Sequence, residues 1–251
     1  MKRGQVSTYA IIGLIIIIIA VLLTYANKEF LSNLSQTQTS KLQKTPQEIE
    51  ILTKGIDDCL DNLVKENIIL IGKKGGTYEI PGINTLYNKS KINMPTIETI
   101  KQQLYLSIKD NIFKCKIEET SEETGGEFIS EKRFNITYKD SKINAQISNK
   151  IIITIDWPLI ISKDNLNFKK QKYSNSYNVN YNKILSITNQ IVNGAIINNT
   201  LCITCINDIS LNNSMEARIE YSDKDKFIIY LTDNSTIINN NPYTFVFRGE
   251  L

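Results

Sequence analysis

The chain has 251 residues, 41% hydrophobic and 22% charged, with a formal net charge of +3, which leaves room for a short anchor and one or two small domains around a real core. Its Lys and Arg residues are spread along the chain with no basic stripe, so there is no footprint for a nucleic acid. It has no histidine, which excludes Ser-His-Asp and Cys-His nucleophile pairs, HExxH-type zinc sites and histidine proton relays. Carboxylate or lysine chemistry stays open to such a chain, but no catalytic constellation stands in the sequence. The expectation is a protein that is not an enzyme, with no cofactor and no small-molecule substrate.

At the N-terminus, Lys2 and Arg3 precede an Ile-rich apolar run from Ala10 to Leu23, with no charge between Arg3 and Lys28. Counted from Gln5 to Ala26, a helix of this stretch is roughly 33 Å long, enough to cross about 30 Å of hydrocarbon. Tyr9 and Tyr25 bracket the run as interfacial aromatics do. The positive-inside rule keeps Lys2 and Arg3 cytoplasmic, so the rest of the chain after about residue 27 faces the outside of the cell. The competing reading is a secretory signal cut after Ala26, at the small-x-small Thr24-Tyr25-Ala26. The run is at the long end for a signal core, which favours a retained helix.

The stretch Lys2-Arg3-Gly4-Gln5-Val6-Ser7-Thr8-Tyr9, followed at once by the apolar helix, resembles the class III signal sequence of archaeal type IV pilin-like proteins. The resemblance implies a leader of residues 1–4, cut between Gly4 and Gln5 by a class III signal peptidase in the membrane. The helix at 5–26 then stays on the mature protein and can pack into a filament core by self-association. The fifth position after the cut is Tyr9, where bacterial pilins carry Glu and archaeal members often do not.

Residues 27–44 are polar and read as a stalk or a continuation of the helix. Thr45-Pro46-Gln47-Glu48 is a capping box with Pro at the first helical position. Ile49, Leu52, Ile56, Cys59/Leu60, Leu63 and Ile68 follow at helical spacing, and Gly75-Gly76 ends the segment. The Gly72-Lys73-Lys74-Gly75-Gly76 stretch lacks the phosphate-loop spacing and follows a helix, so it reads as a helix terminus. Residues 78–90 read as loop or short strand. A second helix starts near Pro95, with Ile97, Ile100, Leu104, Ile108, Ile112 and Cys115 on one face. Glu118, Glu119, Glu122 and Glu123 lack EF-hand spacing and read as a solvated loop.

Period-2 patterns then take over. Phe134, Ile136 and Tyr138, then Ile143, Ala145 and Ile147, then Ile151, Ile153, Ile155 and Trp157 alternate with polar residues. This pattern predicts an antiparallel meander with one buried face, closed by Trp157-Pro158. Residues 163–182 read as polar and irregular. A third helix is expected over 182–197, with Ile184, Ile187, Ile191 and Ala195 on one face, then strands at 216–221, 226–232 and 243–247. The fold class is therefore α+β, with a helical subdomain at 45–118 and a mainly β subdomain with one helix at 119–251.

The exported part also resembles an uncharacterised membrane-protein family of small-genome archaea. The resemblance rests on the Cys59-Leu60 helix, Leu70-Ile71-Gly72-Lys73-Lys74-Gly75-Gly76, Cys115, and the closing Asp233-Asn234-Ser235 and Asn241-Pro242-Tyr243-Thr244-Phe245-Val246-Phe247. It implies topology and architecture and no activity. Cys202 and Cys205 fall outside its pattern.

Four cysteines in an exported domain favour disulfides, with three possible connectivities. Cys59 and Cys115 lie on the apolar stripes of two predicted helices, and packing those helices brings them together. Two buried free thiols are the alternative. Cys202-Ile203-Thr204-Cys205 is a C-x-x-C motif, open to a local disulfide, a redox pair, free or intermolecular thiols, or half of a zinc site. Zinc needs two more soft ligands, and only the distant Cys59 and Cys115 exist. Redox pairs sit on helix N-termini, and the β-branched flanks here argue against one, so a local structural bridge is expected. Six glycosylation sequons begin at Asn33, Asn88, Asn135, Asn198, Asn212 and Asn234.

The functional expectation is a pilin-like surface protein, either a filament subunit or a cell-envelope component. The alternatives are a membrane-anchored adhesin or binding module that never polymerises and, more distantly, an envelope thiol oxidoreductase.

Overall fold

The computed structural model describes residues 47–88, 91–116, 135–163, 166–198, 200–223 and 225–251. The leader, the apolar helix with its flanking tyrosines, the stalk, the capping-box residues Thr45 and Pro46, and the Glu118–Glu123 loop lie outside the described residues. Among the described residues no helix is long and apolar enough to cross a membrane. The described part is α+β, with four α-helices and two sheets in which all but one strand pairing is antiparallel.

Helix α1 (Gln47–Lys73) buries Ile49, Ile56, Leu60, Leu63, Val64, Ile68 and Ile71 along one stripe at three- and four-residue spacing. It ends in a Schellman motif. The Gly76 N–H bonds to the Ile71 carbonyl at 2.9 Å and the Gly75 N–H to the Gly72 carbonyl at 3.1 Å. Gly75 and Gly76 have φ of 69° and 86°, a region that a side chain disfavours, so the diglycine stops the helix where the sequence places its end. After strands β1 (Thr85–Asn88) and β2 (Lys91–Ile92), helix α2 (Ile97–Asn111) starts on Thr96, whose hydroxyl accepts the Thr99 N–H at 3.1 Å. It buries Ile100, Leu104 and Ile108 and tightens into a 3-10 turn, Ile112–Cys115.

Of the expected meander, the second and third strands do form an antiparallel hairpin with one buried face, but the first strand does not pair with the second. Strands β3 (Asn135–Tyr138) and β4 (Lys142–Ile147) both pair antiparallel with the long β5 (Ile151–Lys163), end to end along one of its edges. Residues 139–141 are therefore a break in one edge line rather than a hairpin turn. Trp157-Pro158 does not close the sheet. β5 runs through it with an extra residue between Asp156 and Leu159, because Pro158 has no N–H to give to the ladder. Its carbonyl still accepts the Lys139 N–H at 3.1 Å.

The segment expected to be irregular is strand β6 (Leu166–Tyr177), paired with β5 along its other edge. Ile151, Ile153, Ile155, Trp157, Leu159 and Ile161 of β5 are all buried, and β6 offers Tyr177, Asn175 and Tyr173 opposite the first three. Beyond the bulge Lys170 and Phe168 face Leu159 and Ile161, so the inward set of β6 switches from odd to even positions.

Where one helix is expected after residue 118, there are two: α3 (Tyr181–Asn198) and α4 (Ile203–Asn212). α3 buries Ile184, Ile187, Ile191 and Ala195, as its spacing predicts. β7 (Glu216–Tyr221), β8 (Lys226–Ile238) and β9 (Asn241–Glu250) follow, with β8 and β9 each longer than their apolar cores suggest. Asn239 and Asn240 have φ of 50° and 62° between paired Ile238 and Asn241, the signature of a two-residue type I′ hairpin turn.

The second sheet has the order β2-β1-β9-β8-β7, with β1 parallel to β9. Strands from before residue 118 thus share a sheet with the C-terminal hairpin. One apolar cluster joins α1, α2, α3, both sheets and Ile206 of α4.

Candidate functional site

Three groups of residues carry chemistry: the cysteine pairs, a polar cluster between α1 and β6, and the sequons. Cys59 sits midway along α1, half-buried against the apolar cluster, and Cys115 closes the turn after α2 with 4% of its surface exposed. The two are bridged, with Cα atoms 5.7 Å apart, and the apolar stripes of both helices belong to the same core cluster. Cys202 and Cys205 are bridged as well, with Cα atoms 5.2 Å apart. Two disulfides are compatible with an extracellular, oxidising compartment.

The surroundings of the second pair differ from expectation. β-branched flanks suggested that no helix begins there, yet Cys202 is the N-cap of α4 and Cys205 lies in its first turn. The Cys202 sulfur accepts the Cys205 N–H at 3.2 Å, and the Thr204 hydroxyl lies 3.5 Å from it. Propensity was overridden by burial of Ile206 and Ser210 on one side of the ten-residue helix. The spacing of Ile206, Ile209 and Ser210 was the available signal.

The polar cluster ties α1 to β6. One carboxylate oxygen of Asp61 accepts from the Tyr173 hydroxyl (2.9 Å), the Asn175 amide (2.7 Å) and the Tyr177 hydroxyl (2.8 Å), and the other pairs with Lys65 at 2.5 Å. One turn earlier Asp57 pairs with Lys170. Burial works to raise the Asp61 pKa. The hydrogen bonds from Lys65, Tyr177, Tyr173 and Asn175 outweigh it and hold the carboxyl below the usual 3.8. Burial, reinforced by Asp61, pushes Tyr173 up to about 12 and Tyr177 higher still. Both phenols therefore stay protonated donors at physiological pH. Asp233 is also held low: burial raises it, and bonds from Ser235 and Thr236 outweigh that.

A carboxylate whose folded pKa is depressed stabilises the fold above its unfolded pKa, and that contribution is lost as pH falls through the folded value. Stability is thus expected to hold from neutral pH down to about 4 and to decline below it as Asp61 and Asp233 take up protons. Urea unfolding of Asp61→Asn should show a less stable protein at neutral pH and a shallower decline below pH 4. An unchanged acid limb would mean that Asp61 carries no such linkage.

Of the sequon asparagines, Asn88, Asn135, Asn212 and Asn234 are exposed, and Asn33 lies outside the described residues. Asn198 is the last residue of α3. Asn234 stands in the irregular stretch of β8, where the ladder to β9 skips from Asp233 to Ile237. The arrangement as a whole offers stapling and electrostatic pinning of helices to a sheet. Among the described residues no group of three Cys, Asp or Glu side chains is placed to hold a metal ion. No protein-family model, curated protein or solved structure matches the chain.

Proposed function

We propose that the chain is a pilin-like surface protein whose α+β ectodomain stands outside the cell on a retained N-terminal helix. The observation that carries this reading is Lys2-Arg3-Gly4-Gln5 set directly before a stretch without charge as far as Lys28. A class III signal peptidase reads such a sequence, and the helix it leaves behind serves first as a membrane anchor and then as a self-associating filament core. The two disulfides support export of the ectodomain. The exposed sequon asparagines suit a glycosylated surface. Likeness to the membrane proteins of small-genome archaea belongs to the same proposal.

Replacing Gly4 tests it. Gly4→Val is expected to leave uncut precursor in the membrane and to abolish filaments, read by immunoblot and by electron microscopy of cells. If cells display the variant as they do the native chain and neither strain makes filaments, the chain is an anchored module instead.

A further inference from the structure

The proposed role leaves Cys202 and Cys205 unused. They differ from Cys59 and Cys115 in the respects that govern thiol exchange. Cys205 is exposed and Cys202 half-buried at the start of a ten-residue helix, whereas Cys115 is buried in the core. A bridge that spans three residues in sequence also constrains the unfolded chain far less than one that spans 56, so stapling is a weak reason for its presence.

The two sulfurs are not equivalent. The Cys202 sulfur receives the Cys205 N–H at 3.2 Å and has the Thr204 hydroxyl 3.5 Å away, at the positive end of the helix dipole. Those groups stabilise negative charge, so Cys202 is the better leaving thiolate. The Cys205 sulfur has no such donor among the described residues and is the one a nucleophile reaches. Between them Ile203 is 48% exposed, an apolar contact beside the reactive bond.

We propose that the Cys202–Cys205 disulfide is exchange-competent and oxidises a pair of thiols on another exported polypeptide. A partner thiolate attacks the Cys205 sulfur, a mixed disulfide forms there, and Cys202 leaves as a thiolate. The partner's second thiolate then attacks its own half of the mixed disulfide and Cys205 leaves in turn. The partner loses two electrons and gains a disulfide, while Cys202 and Cys205 become thiols after taking up the two protons released. Ile203 favours a partner segment that is extended and apolar, as in a chain not yet folded.

The test mixes the oxidised full chain, in detergent, with one equivalent of a reduced synthetic peptide carrying two cysteines, followed by acid quench and mass spectrometry. Peptide disulfide is expected to appear one for one with reduced Cys202 and Cys205, and at least about tenfold faster than any reduction of Cys59–Cys115. Cys202→Ser, offered a single-cysteine peptide as its disulfide dimer, should accumulate a lasting mixed disulfide through Cys205, since no resolving thiol remains on either side. After reduction, the Cys202 thiol should alkylate with a pKa below the free-cysteine value of about 8.5. Equal reduction of the two bridges, an unoxidised peptide, or a Cys202 pKa at the free value each overturns the proposal.

Discussion

Removing the Cys59–Cys115 bridge as Cys59→Ala/Cys115→Ala is expected to cost about 4 kcal/mol of stability. The two residues are 56 apart, so counting both ends the bridge closes a loop of 57 residues. In the chain-entropy account the loss arises in the unfolded state, which regains the freedom that the staple denies it. The folded state loses little else, since the apolar stripes of α1 and α2 meet in the same core cluster whether or not the sulfurs are joined. For a chain of this size about 4 kcal/mol corresponds to a fall in Tm of roughly 8–16 °C. Cys202→Ala/Cys205→Ala is the internal comparison. Its loop is so short that the same account allows only about 2 kcal/mol. Calorimetry of the two variants should rank them in that order, and equal losses would mean that the 57-residue loop is already constrained in the unfolded chain.

Gly249→Ala should cost about 3 kcal/mol for a different reason. Gly249 of β9 pairs with Phe227 of β8, and the Phe227 ring lies directly over the glycine. A Cβ there would meet the ring, 2.5 Å from Cε2 and 2.8 Å from Cε1, with Cζ nearest. Phe227 is 2% exposed and fully enclosed by the core, so the ring cannot swing away without disturbing its neighbours. β1 flanks Gly249 on the other side through Tyr87, so the strand cannot shift outward either. The double variant Gly249→Ala/Phe227→Leu should recover part of the loss, because contacting residues are not additive. Urea midpoints of the single and double variants decide this. Additive losses would place the cost in the glycine backbone rather than in the clash.

How much of this was legible follows from where periodicity survives. α1, α2 and α3 each present an apolar stripe at helical spacing, and Gly75-Gly76 marks the end of α1, so their positions follow largely from spacing. Joining of Cys59 and Cys115 was legible for the same reason, since both lie on those stripes. β6 was hidden because its inward residues change parity opposite the Pro158 bulge and include Lys170 and Asn175. Those positions carry polar side chains because Asp57 and Asp61 of α1 wait across the interface, a long-range fact that no local window contains. The end-to-end placement of β3 and β4 was hidden for a related reason. A three-residue break reads like a hairpin turn until the length of β5 is known. α4 was missed through its Ile, Thr and Asn content, low in helix propensity and set right by packing of Ile206. That error also concealed the helix N-terminus beneath the C-x-x-C pair. The parallel contact of β1 with β9 pairs Thr85 with Arg248 and Asn88 with Glu250, far apart in the chain, and leaves no trace in either segment.

The most direct test of the central claim is the N-terminal sequence and intact mass of the mature protein isolated from cell envelopes. A start at Gln5, with the mass of the remaining chain plus any glycans, is the result expected of a class III precursor that keeps its helix. A start at Asn27 would make the chain a secreted protein with no anchor, and a start at Met1 would leave the helix in place but remove the pilin-like route to the surface.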